Sequence, residues 1–184
     1  MSKDKHAGKE HVSIVISGHV DSGKSTTTGR LIYDLGGIPE REMVKLREEA
    51  KIHGKESFEF AFFMDRQEEE RRRGITIVCT VKQFYTDTKF YTIIDAPGHK
   101  DFIKNMISGA SQADVGLLLV PADGGFETAI SKDNGQSRQH ALILNLLGVK
   151  QLIVGINKMD SCKWSQEKFE EARNEIKNIL ARVG

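Results

Sequence analysis

Gly18-His19-Val20-Asp21-Ser22-Gly23-Lys24-Ser25 fits the spacing G-x-x-x-x-G-K-[ST], and Thr26 follows it directly. Glycines at Gly18 and Gly23 let backbone N–H groups curl around phosphate oxygens. Lys24 supplies a cation that reaches β and γ phosphates, and Ser25 a hydroxyl for Mg²⁺. The pattern has this chemistry where a strand runs into a helix. Here residues 12–17 form a near-continuous apolar run of strand length, and residues 26–35 read as a helix whose N-terminal dipole favours an anion. Such a cradle is silent on which base the phosphates carry.

A second motif addresses the base. Asn157-Lys158-Met159-Asp160 follows the apolar run at residues 152–156, at the carboxyl edge where open α/β sheets bind ligands. The Asp160 carboxylate can accept hydrogen bonds from both the N1–H and the 2-amino group of guanine, whereas adenine has an acceptor at N1 and no 2-amino group. Asn157 either meets the base edge or braces the phosphate loop, and the Lys158 stem lies along the base plane. Alone, N-K-x-D is a common accident of polar loops; behind the phosphate loop, in this order, it selects guanine.

Asp95-Ala96-Pro97-Gly98 ends a strand-like run, which puts Asp95 in reach of Mg²⁺ through water and the Gly98 N–H in reach of a γ-phosphate. Thr76, within Arg73-Gly74-Ile75-Thr76-Ile77, has two readings: a hydroxyl that joins the Mg²⁺ shell in the triphosphate state, or an ordinary strand threonine. His99 brings an imidazole beside the γ-phosphate, where it can orient or polarise an attacking water, although a lone histidine is often no more than a satisfied polar side chain. Arg71-Arg72-Arg73 follows Glu68-Glu69-Glu70 and reads as the last turn of a helix, offsetting terminal carbonyls and pairing along one face, rather than as an arginine finger. Phe58, Phe60, Phe62 and Phe63 read as packing rather than as an RNA stacking platform.

The elements that must hold these motifs alternate. Runs at residues 12–17, 115–120 and 152–156 have the composition of parallel strands covered on both faces. Helices are expected at 26–35, 101–109 and 136–147, the first stopped by Gly36-Gly37 and the last by Gly148. Residues 75–85 and 89–94 form a hairpin across Thr86-Asp87-Thr88, giving one antiparallel pair. Before it lies a helical insertion at residues 38–73: Pro39 at a helical N1 position opens a charged helix reaching Gly54, and residues 65–73 form another, together a possible lid. At the end, Ser165 is the N-cap of an amphipathic helix carrying Phe169, Ala172, Ile176 and Leu180, with Trp164 stapled onto Phe169. The fold class is α/β: a P-loop NTPase G domain with a mostly parallel central sheet, one antiparallel hairpin and helices on both faces.

The 184 residues suffice for one domain, with a flexible N-terminus at 1–10 and the nucleotide-binding domain at 11–184. Lys plus Arg is 27 against 26 for Asp plus Glu, so no bulk field draws the molecule to nucleic acid or an anionic membrane, and any RNA contact is local. Cys79 and Cys162 form no C-x-x-C pair or disulfide framework, which suits a reducing cytosol. No apolar stretch approaches a bilayer span and residues 1–10 lack a signal core, so the expectation is a cytoplasmic monomer without membrane attachment.

Gly18 to Ser25, Arg73 to Ile77, Asp95 to His99 and Asn157 to Asp160 together resemble the four corresponding motifs of translational GTPases related to elongation factor 1-alpha and bacterial elongation factor Tu. The similarity runs over essentially the whole chain from His11. Phe102-Ile103-Lys104-Asn105-Met106-Ile107 and Gly148-Val149-Lys150-Gln151-Leu152-Ile153-Val154 resemble the elongation factor 1-alpha branch, and Gly36-Gly37-Ile38-Pro39-Glu40-Arg41-Glu42 its elongation-factor-like cousins. The resemblance implies GTP and GDP with Mg²⁺, and a monovalent cation near Asp21. It implies a GTP state that carries aminoacyl-tRNA to the ribosomal A site, hydrolysis on correct codon pairing, and a guanine-nucleotide exchange factor. In that family a histidine at the His99 position arranges water only after ribosomal RNA draws it past a gate corresponding to Val20 and Ile75, so the intrinsic rate is expected to be slow.

The family also has a further strand with a Ser-Ala or Ser-Gly loop against guanine, then two β-barrel domains; none is found in this sequence. Ser108-Gly109-Ala110, near the end of an expected helix, is a poor stand-in. The chain therefore reads as a fragment with its final strand missing, one sheet edge unpaired and weakened guanine affinity. Two rival readings stand beside this one. A release or ribosome-rescue GTPase uses similar motifs to deliver a protein, although Arg73 to Ile77 and Asp101 to Asn105 look more like the elongation branch. A non-catalytic switch module has no need of a water-positioning His99. Asn157 to Asp160 disfavour an ATP-dependent kinase.

Overall fold

In the computed structural model, residues 8–111, 113–131 and 135–184 are described. The central strand is β1 (Glu10–Gly18), whose last four residues are all buried because layers cover both faces. It lies at the centre of a five-stranded sheet of order β2-β3-β1-β4-β5, in which β2 is Thr80–Tyr85, β3 Lys89–Asp95, β4 Val115–Pro121 and β5 Gln151–Asn157. β1 pairs in parallel with β3 and β4, and β4 with β5, while β2 and β3 form the expected antiparallel hairpin. The register sets Asp95 opposite Ile16 and Leu119 opposite Gly18, with Asn157 opposite Pro121, so the segments leaving β1, β3 and β5 converge on one edge.

Alternation along β1 divides the core. Ile16 packs with Ile32 of α1 (Lys24–Asp34), Met43 and Leu46 of α2 (Glu40–Ile52), and Phe62 and Phe63 of α3 (Glu59–Met64). Val15 faces the other way, toward Met106 of α5 (Ile103–Ala110) and Leu144 of α7 (Gln136–Leu146). Leu118 and Val120 of β4 meet Ile176 and Ile179 of α8 (Gln166–Val183). Helices thus cover both faces. β5 is an outer strand, and its Ile153 is 58% exposed.

The insertion departs from its expected boundaries for physical reasons. Pro39 is the extended N-cap of α2 rather than its first helical residue, and the helix stops at Ile52 with His53 as C-cap. The helix expected over 65–73 starts later, as α4 (Glu68–Arg73). Asp65 is the extended C-cap of α3, and a Gln67–Glu70 capping box begins a new helix. β2 starts at Thr80 rather than Ile75, because the Ile77 and Val78 N–H groups donate to the Glu70 carboxylate instead of to a strand ladder.

Phe62 and Phe63 are buried, and Phe58 and Phe60 pack against the same cluster. Arg73 pairs with Glu69 at 2.6 Å along α4, as a helix C-terminal turn requires. Ser165 caps α8 by accepting from the Lys168 N–H at 3.3 Å, but Trp164 is 73% exposed, so the expected staple buries little. Both thiols donate to backbone carbonyls, Cys79 to Asn105 and Cys162 to Met159. Of the expected flexible residues 1–10, residues 1–7 lie outside the described residues, while Glu10 already pairs with Lys89 in the sheet. Among the described residues no helix is long and apolar enough to cross a membrane.

α1 and α3 touch backbone to backbone at Gly29, where a Cβ would lie 2.1 Å from the Phe60 carbonyl oxygen. Helix propensity alone predicts that Gly29→Ala stabilises by about 1 kcal/mol. The contact reverses the sign: the variant should lose about 1–3 kcal/mol in a denaturant melt through overpacking. A rise in midpoint would contradict the close approach.

Candidate nucleotide-binding site

Where β1 runs into α1, the chain adopts a conformation that side chains resist. Gly18 has φ 143°, and a Cβ there would lie 2.2 Å from the Leu119 carbonyl oxygen. Asp21 and Gly23 both have positive φ, 62° and 85°, which turns successive N–H groups toward one concavity. The Lys24 ammonium, almost wholly buried, donates to the His19 carbonyl at 2.8 Å. Burial pushes its pKa down, against the opposing fields of Asp95, Asp21 and Asp65. A phosphate at the cradle would offer this cation a better partner than a carbonyl.

The loop is fastened from behind. Asn157 donates from Nδ2 to the Ser22 carbonyl at 2.8 Å, so of its two readings the brace is the one realised. α7 supplies two further anchors that the sequence reading missed. Gln136 Oε1 accepts from the Val20 N–H at 3.2 Å, and His140 Nδ1 accepts from the Gly18 N–H at 3.0 Å. Burial drives the His140 pKa down to about 3, which keeps the ring neutral and able to accept. His19 is shifted down as well, by burial first and Lys24 second. The available signal was the i, i+4 pair of polar residues on a helix behind the sheet.

A cavity of about 350 Å³ opens in front of the loop, lined by Val20, Asp21, Gly23, Lys24, Ser25 and Thr26 on one side. Asp65 closes it from the insertion, Ile75 and Thr76 from the segment that follows α4, Gly98 and His99 from the segment after β3, and Lys158 from the segment after β5. Residues scattered over the sequence therefore meet at one place. Gly98 approaches so closely that a Cβ would lie 2.5 Å from the Lys24 Nζ and 2.8 Å from the Gly18 carbonyl oxygen. Ala96 is fully buried, its N–H donating to the Ile16 carbonyl at 3.0 Å, and Pro97 leads to Gly98.

On the metal side, the Ser25 and Thr76 hydroxyls lie 3.1 Å apart, and the Thr76 hydroxyl donates to Asp65 Oδ1 at 3.0 Å. Thr76 thus lines the cavity and lies outside β2. Neither oxygen of the fully buried Asp95 makes a hydrogen bond of normal geometry. Burial raises its pKa to about 6, against the pull of the nearby Ser25 hydroxyl and Lys24 ammonium. Burial, then the Asp95 field, raises Asp65 to about 7. Asp65 was read from sequence only as the start of a helix.

Two hydroxyls and two buried carboxylates, both shifted up by burial, are hard oxygen donors that fit a divalent cation such as Mg²⁺. Among the described residues no group of three or more His, Cys, Asp or Glu could hold a metal ion, so a cation here would need further oxygens, such as those of a phosphate ligand or water.

His99 Nδ1 accepts from the Asp101 N–H at 3.3 Å. In the neutral ring this leaves the proton on Nε2, making that edge a donor toward a water or phosphate oxygen. Val20, Ile75 and His99 line the same cavity. On the base side, Lys158 has φ 59° and its ammonium pairs with Asp123 Oδ2 at 3.0 Å, a partner absent from the sequence reading. Burial works against the Asp123 carboxylate, yet Lys158 and the Gly125 N–H hold its pKa below the ordinary value. Met159 is buried, and Asp160 is exposed within the short 3₁₀ turn Met159–Cys162.

Residues 9–183 match the family described as the elongation factor Tu GTP-binding domain. The chain belongs to this family. As a member of this family it binds guanine nucleotide. It is 55% identical over 177 residues to elongation factor 1-alpha of Plasmodium falciparum (isolate K1 / Thailand), covering 96% of this chain and 40% of that protein. Against elongation factor 1-alpha of Nanoarchaeum equitans (strain Kin4-M) the identity is 52% over 176 residues, covering 96% and 39%. The chain thus spans about two fifths of the length of these relatives.

Among solved structures, the GTP-bound Ski7 GTPase-like domain of S. cerevisiae superposes with a TM-score of 0.83 at 24% identity, covering 96% of this chain and 40% of that one; it attests the fold. A sup35 structure complexed with GDP gives 0.65 at 33% identity, covering 100% and 36%.

Proposed function

We propose that this chain is the GTP-binding and GTP-hydrolysing domain of a translation elongation factor that delivers aminoacyl-tRNA to the ribosomal A site. The observation that carries the reading is the convergence on one cavity of the loop after β1, Thr76, Gly98, His99 and Lys158. The 52–55% identity to elongation factor 1-alpha sequences favours the elongation branch over a release or rescue factor.

In this reading, backbone amides from Gly18 to Thr26 and the Lys24 ammonium hold the phosphates, with His19, Val20, Asp21 and Ser22 giving the loop its shape. Ser25, Thr76 and Asp95 would hold Mg²⁺, with Asp65 beside them, the ion would neutralise phosphate charge, and Asp21 would help seat a monovalent cation. Asp95-Ala96-Pro97-Gly98 brings the Gly98 N–H to the γ-phosphate. Lys158, Met159 and Asp160 bind the base, and Asn157 braces the phosphate loop beside it. His99 orients the attacking water through its Nε2 edge, behind Val20 and Ile75, which makes cleavage slow until the ribosome moves the ring. A cytoplasmic monomer without membrane attachment, reloaded by an exchange factor, completes the proposal.

The test is displacement of labelled GDP from this chain. GDP and GTP should compete at equal concentrations, whereas ADP and ATP should need at least about a hundredfold more, since their base leaves the Asp160 carboxylate unpaired. Equal competition by adenosine nucleotides would end the assignment.

A further inference from the structure

Glu70 is 1% exposed, although it lies among the glutamates of a six-residue charged helix. Its Oε1 accepts from the Ile77 N–H at 2.9 Å and the Val78 N–H at 3.2 Å. Its Oε2 accepts from the Gln67 N–H at 3.1 Å. A buried carboxylate is tolerated where hydrogen-bond donors surround it, and three backbone donors do so here. The two at Ile77 and Val78 come directly after Thr76. Gly74, the left-handed C-cap of α4 at φ 76°, turns the chain back so that these residues pass over the Glu70 side chain.

The helix that carries Glu70 is itself moored. Arg71 donates from Nε to the Asp65 carbonyl at 2.8 Å and from Nη2 to the Phe62 carbonyl at 3.1 Å, and it pairs with Glu49 of α2. Lys55 donates to the Arg71 and Arg72 carbonyls at 2.8 and 2.9 Å, capping the C-terminus of α4. Thr76 is accordingly held at two points of different kind. Its hydroxyl reaches Ser25 and Asp65 in the cavity, and the backbone behind it hangs on Glu70.

We propose that Glu70 is a positioning residue for the triphosphate state: by clamping the Ile77 and Val78 amides it holds Thr76 against Ser25, and it makes no hydrogen bond to the loop after β1 that cradles the diphosphate. The inference rests on the nucleotide reading of the cavity. It assigns a role to a side chain outside that cavity, whose hydrogen bonds hold the backbone next to Thr76 while its charge reaches Asp65 and Asp95 only as a minor field. A segment ordered by the γ-phosphate and its metal is biased by whatever stabilises the ordered form. The clamp therefore adds to triphosphate affinity and not to diphosphate affinity.

The test uses this chain with Glu70→Ala and Glu70→Gln, reading amide hydrogen exchange at Ile77 and Val78 together with affinities for GDP and for a non-hydrolysable GTP analogue in Mg²⁺. With Glu70→Ala, protection at both amides should fall, analogue affinity should drop about tenfold, and GDP affinity should stay within about twofold. Glu70→Gln keeps one acceptor oxygen for Ile77 and Val78 but turns N–H groups toward the Gln67 amide, so its drop should be smaller, about threefold. If Glu70→Ala does not fold, the Gln variant decides by the same ratio. Equal losses for analogue and GDP, or an unchanged ratio, would overturn the clamp and leave the nucleotide site standing. An unsubstituted chain that binds neither nucleotide would overturn the site reading, and the clamp's role with it.

Discussion

Asp160→Asn should turn this domain from a guanosine into a xanthosine nucleotide binder. The Asp160 carboxylate is exposed at the turn after β5, so replacing it leaves the fold intact and changes only what it offers a purine. Against guanine the carboxylate accepts from N1–H and the 2-amino group. The amide loses one acceptor and presents a donor to the 2-amino group instead. One charge-assisted hydrogen bond lost at about 1.5–3 kcal/mol, and a donor left facing the 2-amino donor at about 1–3 kcal/mol, put the loss of GDP affinity at about 10²–10⁴-fold. Xanthine carries a carbonyl at position 2, to which the amide N–H donates, so XDP should be bound more tightly than GDP. Equilibrium competition between labelled GDP and XDP, with the unsubstituted chain alongside, reads both. Retention of full guanine preference would mean that the base is read elsewhere.

The features legible in the sequence are those whose chemistry is local. Gly18 to Ser25 can be recognised without the fold because the loop's positive-φ positions and its lysine lie within eight consecutive residues. The turn after β5 is read in the same way. The hairpin was visible because Thr86-Asp87-Thr88 forces the chain back on itself. The order of alternating apolar runs gave the parallel sheet and its covered faces.

What stayed hidden is tertiary. Ile77 and Val78 have strand composition, and only the buried Glu70 carboxylate diverts their amides from a ladder. Asp65 looked like one more charge at a helix start until the fold set it 3.0 Å from the Thr76 hydroxyl. Gln136 and His140 sit more than a hundred residues from the glycine loop whose amides they accept from. The i, i+4 spacing marks the two as one helix face, but it does not say which loop they brace, because the distance along the chain to that loop is set by topology. The Asp123 partner of Lys158 is hidden for the same reason, since β4 and β5 must be paired before the two can meet.

The carboxylates beside Thr76 give the domain a pH dependence that runs opposite to that of a salt-bridged acid. Asp65 is raised to about 7 and Asp95 to about 6, against an ordinary carboxyl near 3.8. Between those limits the folded chain binds more protons than the unfolded chain, so ligand-free stability is highest in acid and falls as pH rises through about 4 to about 7. A divalent cation has to displace these protons, so Mg²⁺-dependent affinity for a GTP analogue should climb through about pH 6–7 and then level off. Asp65→Asn separates the two effects, because its amide oxygen still accepts from the Thr76 hydroxyl while the buried charge is gone. At about pH 8 without ligand the variant should be more stable by a few kcal/mol, at roughly 1.4 kcal/mol per pH unit of the relieved shift. Its stability should vary less between about pH 5 and about pH 8, and its Mg²⁺ dependence for the analogue should weaken by about tenfold or more. Denaturant unfolding at both pH values, with and without Mg²⁺ and the analogue, reads all three. If the variant kept the pH slope and the Mg²⁺ requirement of the parent chain, Asp65 would be a bystander, and Ser25, Thr76 and Asp95 would have to account for the metal without it.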